Sequence, residues 1–395
     1  MAEIIIPGAQ TLKTIEKALK DNYLPAWRNG LTTEPTPLLS KIKKVALTSN
    51  KIIASAPQGL SGGFGFGAEG HATPAAGNVM FERFETYAKD MYVNIAISAK
   101  AVRLANNGGA MANALDTEVK AAYETAKWNV GRSLFGNGSG ILTTTEAVTG
   151  SKVVKVDDTK FMKEGLIIDI YANEATEPSA KGVRIISVDR VNNTITLGTD
   201  VTVDGAGFIT VQNSYNREIT GLGAIFDENV DTLYGVKKSE NKIIVPTTID
   251  AHTDIDDSVI WDAVDGAETY KNSKIDTILM GKAAYKHYIE YLRTNNVRVE
   301  AMSKEIVGGF KSLAYAFGNR EIDVMYDQFV PDNEAWCLDS KSLELHTQEW
   351  DFADLQGGGI FNLMENSSIY RALLANYGDL ICTNPGGCVR ITNCA

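Results

Sequence analysis

Residues 59–70 read GLSGGFGFGAEG, and the fold turns on what this stretch is. Two catalytic spacings overlap in it. Gly59-x-Ser61-x-Gly63 has the pattern of a hydrolase nucleophile elbow, and Gly65-x-Gly67-x-x-Gly70 has that of a dinucleotide loop. Each works only where a strand delivers the glycines to a helix N-terminus, whose free N–H groups hold a pyrophosphate or whose strained turn presents the serine. The next residues, HATPAAGN at 71–78, contain Pro74 and Gly77 and do not open a helix. Gly62 and Gly63 extend a pliant loop after Ser61, with His71 as the nearest base. A doubly wound α/β enzyme is therefore not expected. The stretch reads instead as a glycine-rich loop whose Phe64 and Phe66 make hydrophobic contacts with something else.

The flanks support that reading. KIIAS at 51–55 is strand-like, as is VMFERFETYAKDMYVNIAIS at 79–98, where Phe81, Phe84, Tyr87, Met91, Val93, Ile95 and Ile97 are apolar anchors. Together they predict an extended two-stranded loop closed at its base. Upstream, an amphipathic helix is expected over 9–22, followed by a non-helical arm, YLPAWRNGLTTEPTPLL at 23–39. Downstream, Leu115, Val119, Ala122, Ala126, Val130 and Leu134 recur every three or four residues, which predicts a spine helix over 111–135 stopped by GNGSG at 136–140. Short β-patterned runs between 150 and 215 then suggest a small all-β module inserted into another domain. Beyond 217 the pattern is mixed. Residues 256–270 and 281–295 read as helices, and 274–280, 321–327, 334–339 and 368–382 as strands.

Bulk properties narrow the function. The 395 residues are 44% hydrophobic and 22% charged, enough for two or three lobes with real cores. No run approaches the ~18 apolar residues of a membrane-spanning helix, and MAEIIIPGAQ lacks the features of a signal peptide, so a soluble protein made in the cytoplasm is expected. Cys337, Cys382, Cys388 and Cys394 lack the tight spacing of a zinc site and read as reduced packing residues. The net charge of −11 excludes a surface devoted to gripping nucleic acid. Residues 1–51, however, carry eight basic against four acidic side chains, a basic arm that could touch nucleic acid or an acidic neighbouring subunit.

No constellation makes an active site. DIDDSVIWDAVD at 254–265 places Asp254, Asp256, Ser258, Asp262 and Asp265 at calcium-loop spacing, but Val259 stands where a glycine is needed. A helix cap by Asp256 or Asp257 explains the same residues. His287 with Glu290 and His346 with Glu349 have no third ligand, the first pair reading as an exposed helix face and the second as opposite sides of a strand. No catalytic residue, metal ligand or cofactor-binding residue is assigned, and an enzyme is not expected.

The order of the elements is the informative feature: a basic arm, a glycine-rich loop, a spine helix ending NVGRSLFGNGSGIL, then REITGLGAIFDENVDTLYGVKKSENK. The late segments GGFKSLAYAFGNREIDVMYDQFVPDNEAWCLDSKSLEL and GGGIFNLMENSSIYRALLANYGDLICTNPGGCVRI follow. This order resembles the major capsid proteins of tailed bacteriophages with the Hong Kong 97-like coat fold, an α+β architecture. The resemblance implies an N-terminal arm at 1–45, an extended loop with its base at 46–95, and a peripheral domain at 96–144 and 341–368. It further implies an axial domain at 216–340 with 369–395 returning, and an inserted β domain at 145–215. By the same resemblance the chain is a homo-oligomer of hexamers and pentamers in an icosahedral virion shell around double-stranded DNA, assembled in the host cytoplasm without a membrane.

Phe64 and Phe66 then become intersubunit contacts, and Lys13, Lys17, Lys20 and Arg28 a DNA-facing arm. A separate scaffolding protein, a portal and a decoration protein are implied partners, the arm beginning too close to the coat elements for a fused scaffold. Some members of this family join subunits through a lysine in the extended loop. None occurs between Lys51 and Lys89, so no such crosslink is expected. The alternatives are an encapsulin-type compartment shell with the same fold, a hydrolase using Ser61, and a fibre-forming tail or adhesin protein.

Overall fold

The computed structural model describes residues 19–59, 62–70, 72–98, 110–173, 176–252, 255–295, 303–305, 311–353, 360–364 and 367–394. The chain divides into two compact units, one formed by Met1–Gly131 with Ile225–Ala395 and the other by Arg132–Ala224.

In the first unit a π-helical turn, Leu19–Tyr23, leads into α1, Leu24–Thr33. This helix corrects the expectation of a non-helical arm over 23–39. Pro25 lies in the first turn, where its missing N–H costs no hydrogen bond. Leu24, Trp27 and Leu31 share one face and are buried. Gly30, which looks like a breaker, lies against a side chain of the spine helix: a Cβ there would collide with the Tyr123 ring. A 3-10 turn, Pro37–Ser40, follows, with Thr36 Oγ1 accepting from Leu39 N at 3.3 Å.

β1 (Lys43–Ala46) precedes the hairpin of β2 (Lys51–Gln58) and β3 (Met80–Tyr87), which pair antiparallel from Lys51↔Tyr87 to Gln58↔Met80. The two-stranded loop closed at its base is thus present. β4 (Lys89–Ser98) continues directly from it. The spine helix α2 runs Ala110–Phe135, about 39 Å at 1.5 Å per residue. On the expected stripe Val119, Ala126 and Leu134 are buried and Ala122 and Val130 half-buried.

The second unit contains six antiparallel strands: β5 (Ile141–Thr145), β6 (Val148–Lys155), β7 (Ile167–Ala172), β8 (Ala180–Asp189), β9 (Thr194–Val203) and β10 (Gly207–Val211). They lie in the order β5-β10-β7-β8-β9-β6. An isolated bridge, Thr145↔Val156, brings the end of β5 beside the residue that follows β6, so the two outer strands meet at one point. Alternate residues such as Val154, Ile168, Ile170, Ile185, Ile195 and Ile209 are fully buried inside it. The unit also holds a buried bidentate ion pair, with Arg132 Nη1 2.9 Å and Nη2 2.5 Å from the two oxygens of Glu218.

A short helix, α3 (Leu222–Phe226), and a hairpin of β11 (Thr232–Leu233) and β12 (Val236–Lys237) precede β13 (Thr247–Asp250). Then come α4 (Asp257–Lys271), β14 (Thr277–Met280), α5 (Lys282–Thr294), β15 (Ser303–Glu305), β16 (Lys311–Phe317), β17 (Arg320–Tyr326) and β18 (Ala335–Leu338). The chain ends through β19 (Leu343–Thr347), β20 (Asp351–Phe352), β21 (Phe361–Leu363), β22 (Ile369–Cys382) and β23 (Val389–Thr392).

Two sheets organise these strands. One has seven, ordered β13-β23-β18-β14-β17-β16-β15, and α4 and α5 bury Ile260, Val264, Tyr288 and Leu292 in a core with Ile278, Ile322, Val324 and Ile391. The other has six and centres on the long β22, which pairs with β4, β19, β20 and β21, while β1 lies parallel to β19 at an edge. Within the segment 369–395, residues 369–382 therefore belong to the six-stranded sheet, and only 389–392 return to the seven-stranded one. All four cysteines are buried free thiols, and burial pushes Cys337 and Cys394 up to about 12.

Candidate intersubunit surface

The β2–β3 hairpin has two unlike faces because its side chains alternate. Ile52, Ala56, Phe84 and Thr86 point inward and are buried, whereas Ile53, Phe81 and Tyr87 are exposed on the opposite face. The inward face is anchored at its base. Phe84 packs against Tyr234 with ring centroids 5.8 Å apart, Glu85 N donates to Tyr234 O at 2.9 Å, and Thr86 Oγ1 donates to Asp379 Oδ2 at 2.5 Å.

Tyr234 is itself unusual. With Gly235 it forms the two-residue turn between β11 and β12, both at positive φ (50° and 80°), a geometry that ordinarily selects Asn-Gly. A bulky residue in the left-handed region costs about 1–3 kcal/mol and persists only where the surroundings hold it. Here the ring is buried and its hydroxyl accepts from Cys382 N at 3.2 Å. Burial, with the nearby Cys382 and Asp379, drives its pKa well above the ordinary phenol value. The hydroxyl therefore stays protonated. The hairpin base is thus locked onto the central strand of the six-stranded sheet.

The far end is the reverse. Phe64 and Phe66 are 81% and 95% exposed and touch one another edge-on at 5.4 Å. The glycines around them fit an extended loop: Gly70 has φ +82°, and a Cβ on Gly77 would collide with the backbone of Gly62 and Gly63. Between the strands no helix begins among the described residues, so neither catalytic spacing has the strand-to-helix context it requires. Ser61 and His71 lie outside the described residues.

The remaining sequence candidates separate in space. Lys13 and Lys17 lie outside the described residues, and Lys20 is exposed. Arg28 is engaged: its Nε donates to Trp350 O at 2.8 Å, and its other nitrogens meet Glu349 at 3.1 Å and Asp351 at 3.4 Å. Asp256 caps α4, accepting from Val259 N at 2.9 Å, which pulls its pKa below the usual carboxylate range. No cluster of three or more metal-ligating side chains occurs among the described residues. The HxxE pairs are not brought together as ligands either. Glu290 sits 3.7 Å from Lys286, and His346 lies 3.4 Å from Glu344. The Tyr234 lock carries no local sequence signal beyond a Tyr-Gly dipeptide.

No family model matches the chain, and no curated protein matches it. Among solved structures it is similar to the cyanophage A-1(L) capsid asymmetric unit, with a TM-score of 0.52 at 11% identity, covering 94% of this chain and 92% of that one. The holo-SrpI encapsulin complex from Synechococcus elongatus matches with a TM-score of 0.46 at 8% identity, over 89% and 85% of the two chains. The satellite phage P4 procapsid including size determination protein gives 0.45 at 9% identity, over 93% and 90%. The fold is the Hong Kong 97-like coat fold, a mixture of helix and sheet.

Proposed function

We propose that this chain is the major capsid protein of a tailed bacteriophage, self-assembling as hexamers and pentamers into an icosahedral shell around double-stranded DNA. The observation that carries this is the hairpin at 51–87, rigidly locked at its base and ending in two aromatic rings that bury almost nothing in their own chain. A loop of that kind gains its stability only against a second subunit. On a coat fold, the second subunit is another copy. This role calls for no catalytic residue.

The finer assignments follow from the same reading. The arm is 1–45, the extended loop 46–95, the peripheral domain 96–144 with 341–368 and the strand at 369–382, the axial domain 216–340 with the return at 389–392, and the inserted domain 145–215. Lys13, Lys17 and Lys20 face packaged DNA, whereas Arg28 is already held by Glu349 and Asp351 and serves to pin α1. A separate scaffolding protein, a portal and a decoration protein complete the particle, which is built in the host cytoplasm and ends as the virion. Electron microscopy of the protein expressed alone and with its neighbouring genes tests this. Closed shells containing DNA when packaging genes are present support it. Shells filled with a cargo enzyme in place of DNA would make it a storage compartment, and fibres or a persistent monomer would overturn it.

A further inference from the structure

Two of the four buried thiols touch. Cys382 ends β22 and Cys388 immediately precedes β23, and the chain between them folds back through a 3-10 turn, Pro385–Gly387, with Cys388 N donating to Pro385 O at 3.1 Å. This turn lets the two fully buried thiols hydrogen-bond one another. Ser342 Oγ lies 3.6 Å from Cys382 Sγ, and Cys388 Sγ lies 3.9 Å from Asn384 O. Burial by itself would push Cys382 up, but the bond with Cys388, together with Ser342 and the Asn384 N–H, holds it below the ordinary thiol value. The same bond, and burial, drive Cys388 well above it. The pair is therefore asymmetric: Cys382 is the thiol that ionises, and Cys388 keeps its proton. Cys337 and Cys394 are the contrast, since burial raises both to about 12 and Cys394 Sγ donates to Ile391 O at 3.6 Å.

We infer that Cys382 and Cys388 form a modification site, at which a hydroperoxide oxidises Cys382 and Cys388 resolves it to an intramolecular disulfide closing the loop 382–388. The Cys382 thiolate attacks one oxygen of the peroxide, the O–O bond breaks, and hydroxide leaves to take up the proton that Cys382 had lost, giving a sulfenic acid and water. Cys388 Sγ then attacks the sulfenic sulfur. The S–S bond forms as the S–O bond breaks, and the departing hydroxide takes the Cys388 proton as a second water. Each sulfur loses one electron and the peroxide gains two. The oxidant has to be small because both thiols are buried, which favours a hydroperoxide over a bulky disulfide. Closing the hydrogen-bonded pair to the S–S length of about 2.05 Å needs a movement of about 1–2 Å. The bridge lies directly behind the hairpin lock, since Cys382 N is the group that donates to the Tyr234 hydroxyl.

Mass spectrometry reads the site directly. Folded, reduced protein is treated with hydrogen peroxide, unfolded in iodoacetamide and cut with trypsin. Cleavage after Arg371 and Arg390 leaves Cys382 and Cys388 together on 372–390, whereas Cys337 falls on 321–341 and Cys394 on 391–395. The expected product is a 372–390 peptide lighter by two hydrogens and carrying no alkyl group, with the other two cysteines alkylated. Closing so short a loop should raise the folding equilibrium constant about fiftyfold, and a reductant should reverse both changes. In Cys388→Ser, dimedone should tag the sulfenic acid at Cys382; in Cys382→Ser, Cys388 should stay untagged. A 372–390 peptide that remains doubly alkylated, a bridge joining 321–341 to 391–395, or a dimedone tag on Cys388 overturns the inference. The parent protein alone decides between the first two outcomes and the expected one, so the test holds even where a serine variant fails to fold.

Discussion

Replacing Phe64 and Phe66 together by alanine separates assembly from folding. The rings are 81% and 95% exposed, so the subunit loses little beyond their mutual edge-on contact, and its unfolding free energy should shift by no more than about 1 kcal/mol. Against a neighbour the same rings matter more. Fully burying a phenylalanine is worth about 1.5–3 kcal/mol, so the pair contributes about 3–6 kcal/mol per loop, or two to four orders of magnitude in that contact. Phe84→Ala is the contrasting control. Its ring is 0% exposed at the hairpin base, and truncation there should cost the monomer about 3–5 kcal/mol. Denaturant titration of unassembled subunits reads the first quantity. The concentration at which particles appear, followed by sedimentation and microscopy, reads the second. A double variant that damages monomer and assembly equally, or neither, would refute the reasoning that the tip is an intersubunit contact.

Further tests address the supports. Tyr234→Phe removes the acceptor for Cys382 N in a buried site, and an orphaned backbone donor should cost about 1–3 kcal/mol in subunit unfolding. Arg132→Ala should destabilise the β-rich unit by about 3–5 kcal/mol, seen as a lower melting transition, because it strands a buried Glu218 carboxylate; the Arg132→Met/Glu218→Leu pair should cost less. Asp256→Ala should cost about 1 kcal/mol at pH 7 through loss of the α4 cap. Because the folded pKa of Asp256 is depressed, that contribution is complete above the unfolded value of about 3.9 and is lost as pH falls from there through the lower folded value, so the gap between parent and variant should begin to shrink only below about pH 3.9 and close below the folded pKa. Assembled shells boiled in denaturing gel buffer should run as single 42.8 kDa chains with no covalent ladder, since the loop has no lysine between Lys51 and Lys89 to donate from its tip.

Much of the framework was legible because it depends on local periodicity. The stripe from Val119 to Leu134 announces α2, and the acids at 254–257 announce a helix start that the structure realises as the Asp256 cap. The arm was misread at 24–33 because proline and glycine were weighed as local breakers. In place, Pro25 occupies a first turn, where it breaks nothing, and Gly30 supplies the space that Tyr123 fills, a role that does not exist until α2 lies alongside. The same limit applies to the strand at 369–382. Its pattern marks a strand, but its partner β4 lies about 280 residues earlier, and sheet membership depends on which backbone edge it meets.

By itself the sequence determined the spine helix, most of the strands and the glycine-rich loop, and that the loop at 59–70 lacks the context of a catalytic site. Those properties are written in side-chain period and in the residues that begin or stop an element. Tertiary structure alone decided what the loop stands on and what its neighbourhood offers. Tyr234 held at positive φ by its burial against Phe84 and Thr86 bonded to Asp379 each require residues far apart in the chain to meet. Such meetings are fixed by packing and by the need to satisfy buried polar groups, which no short window of sequence contains.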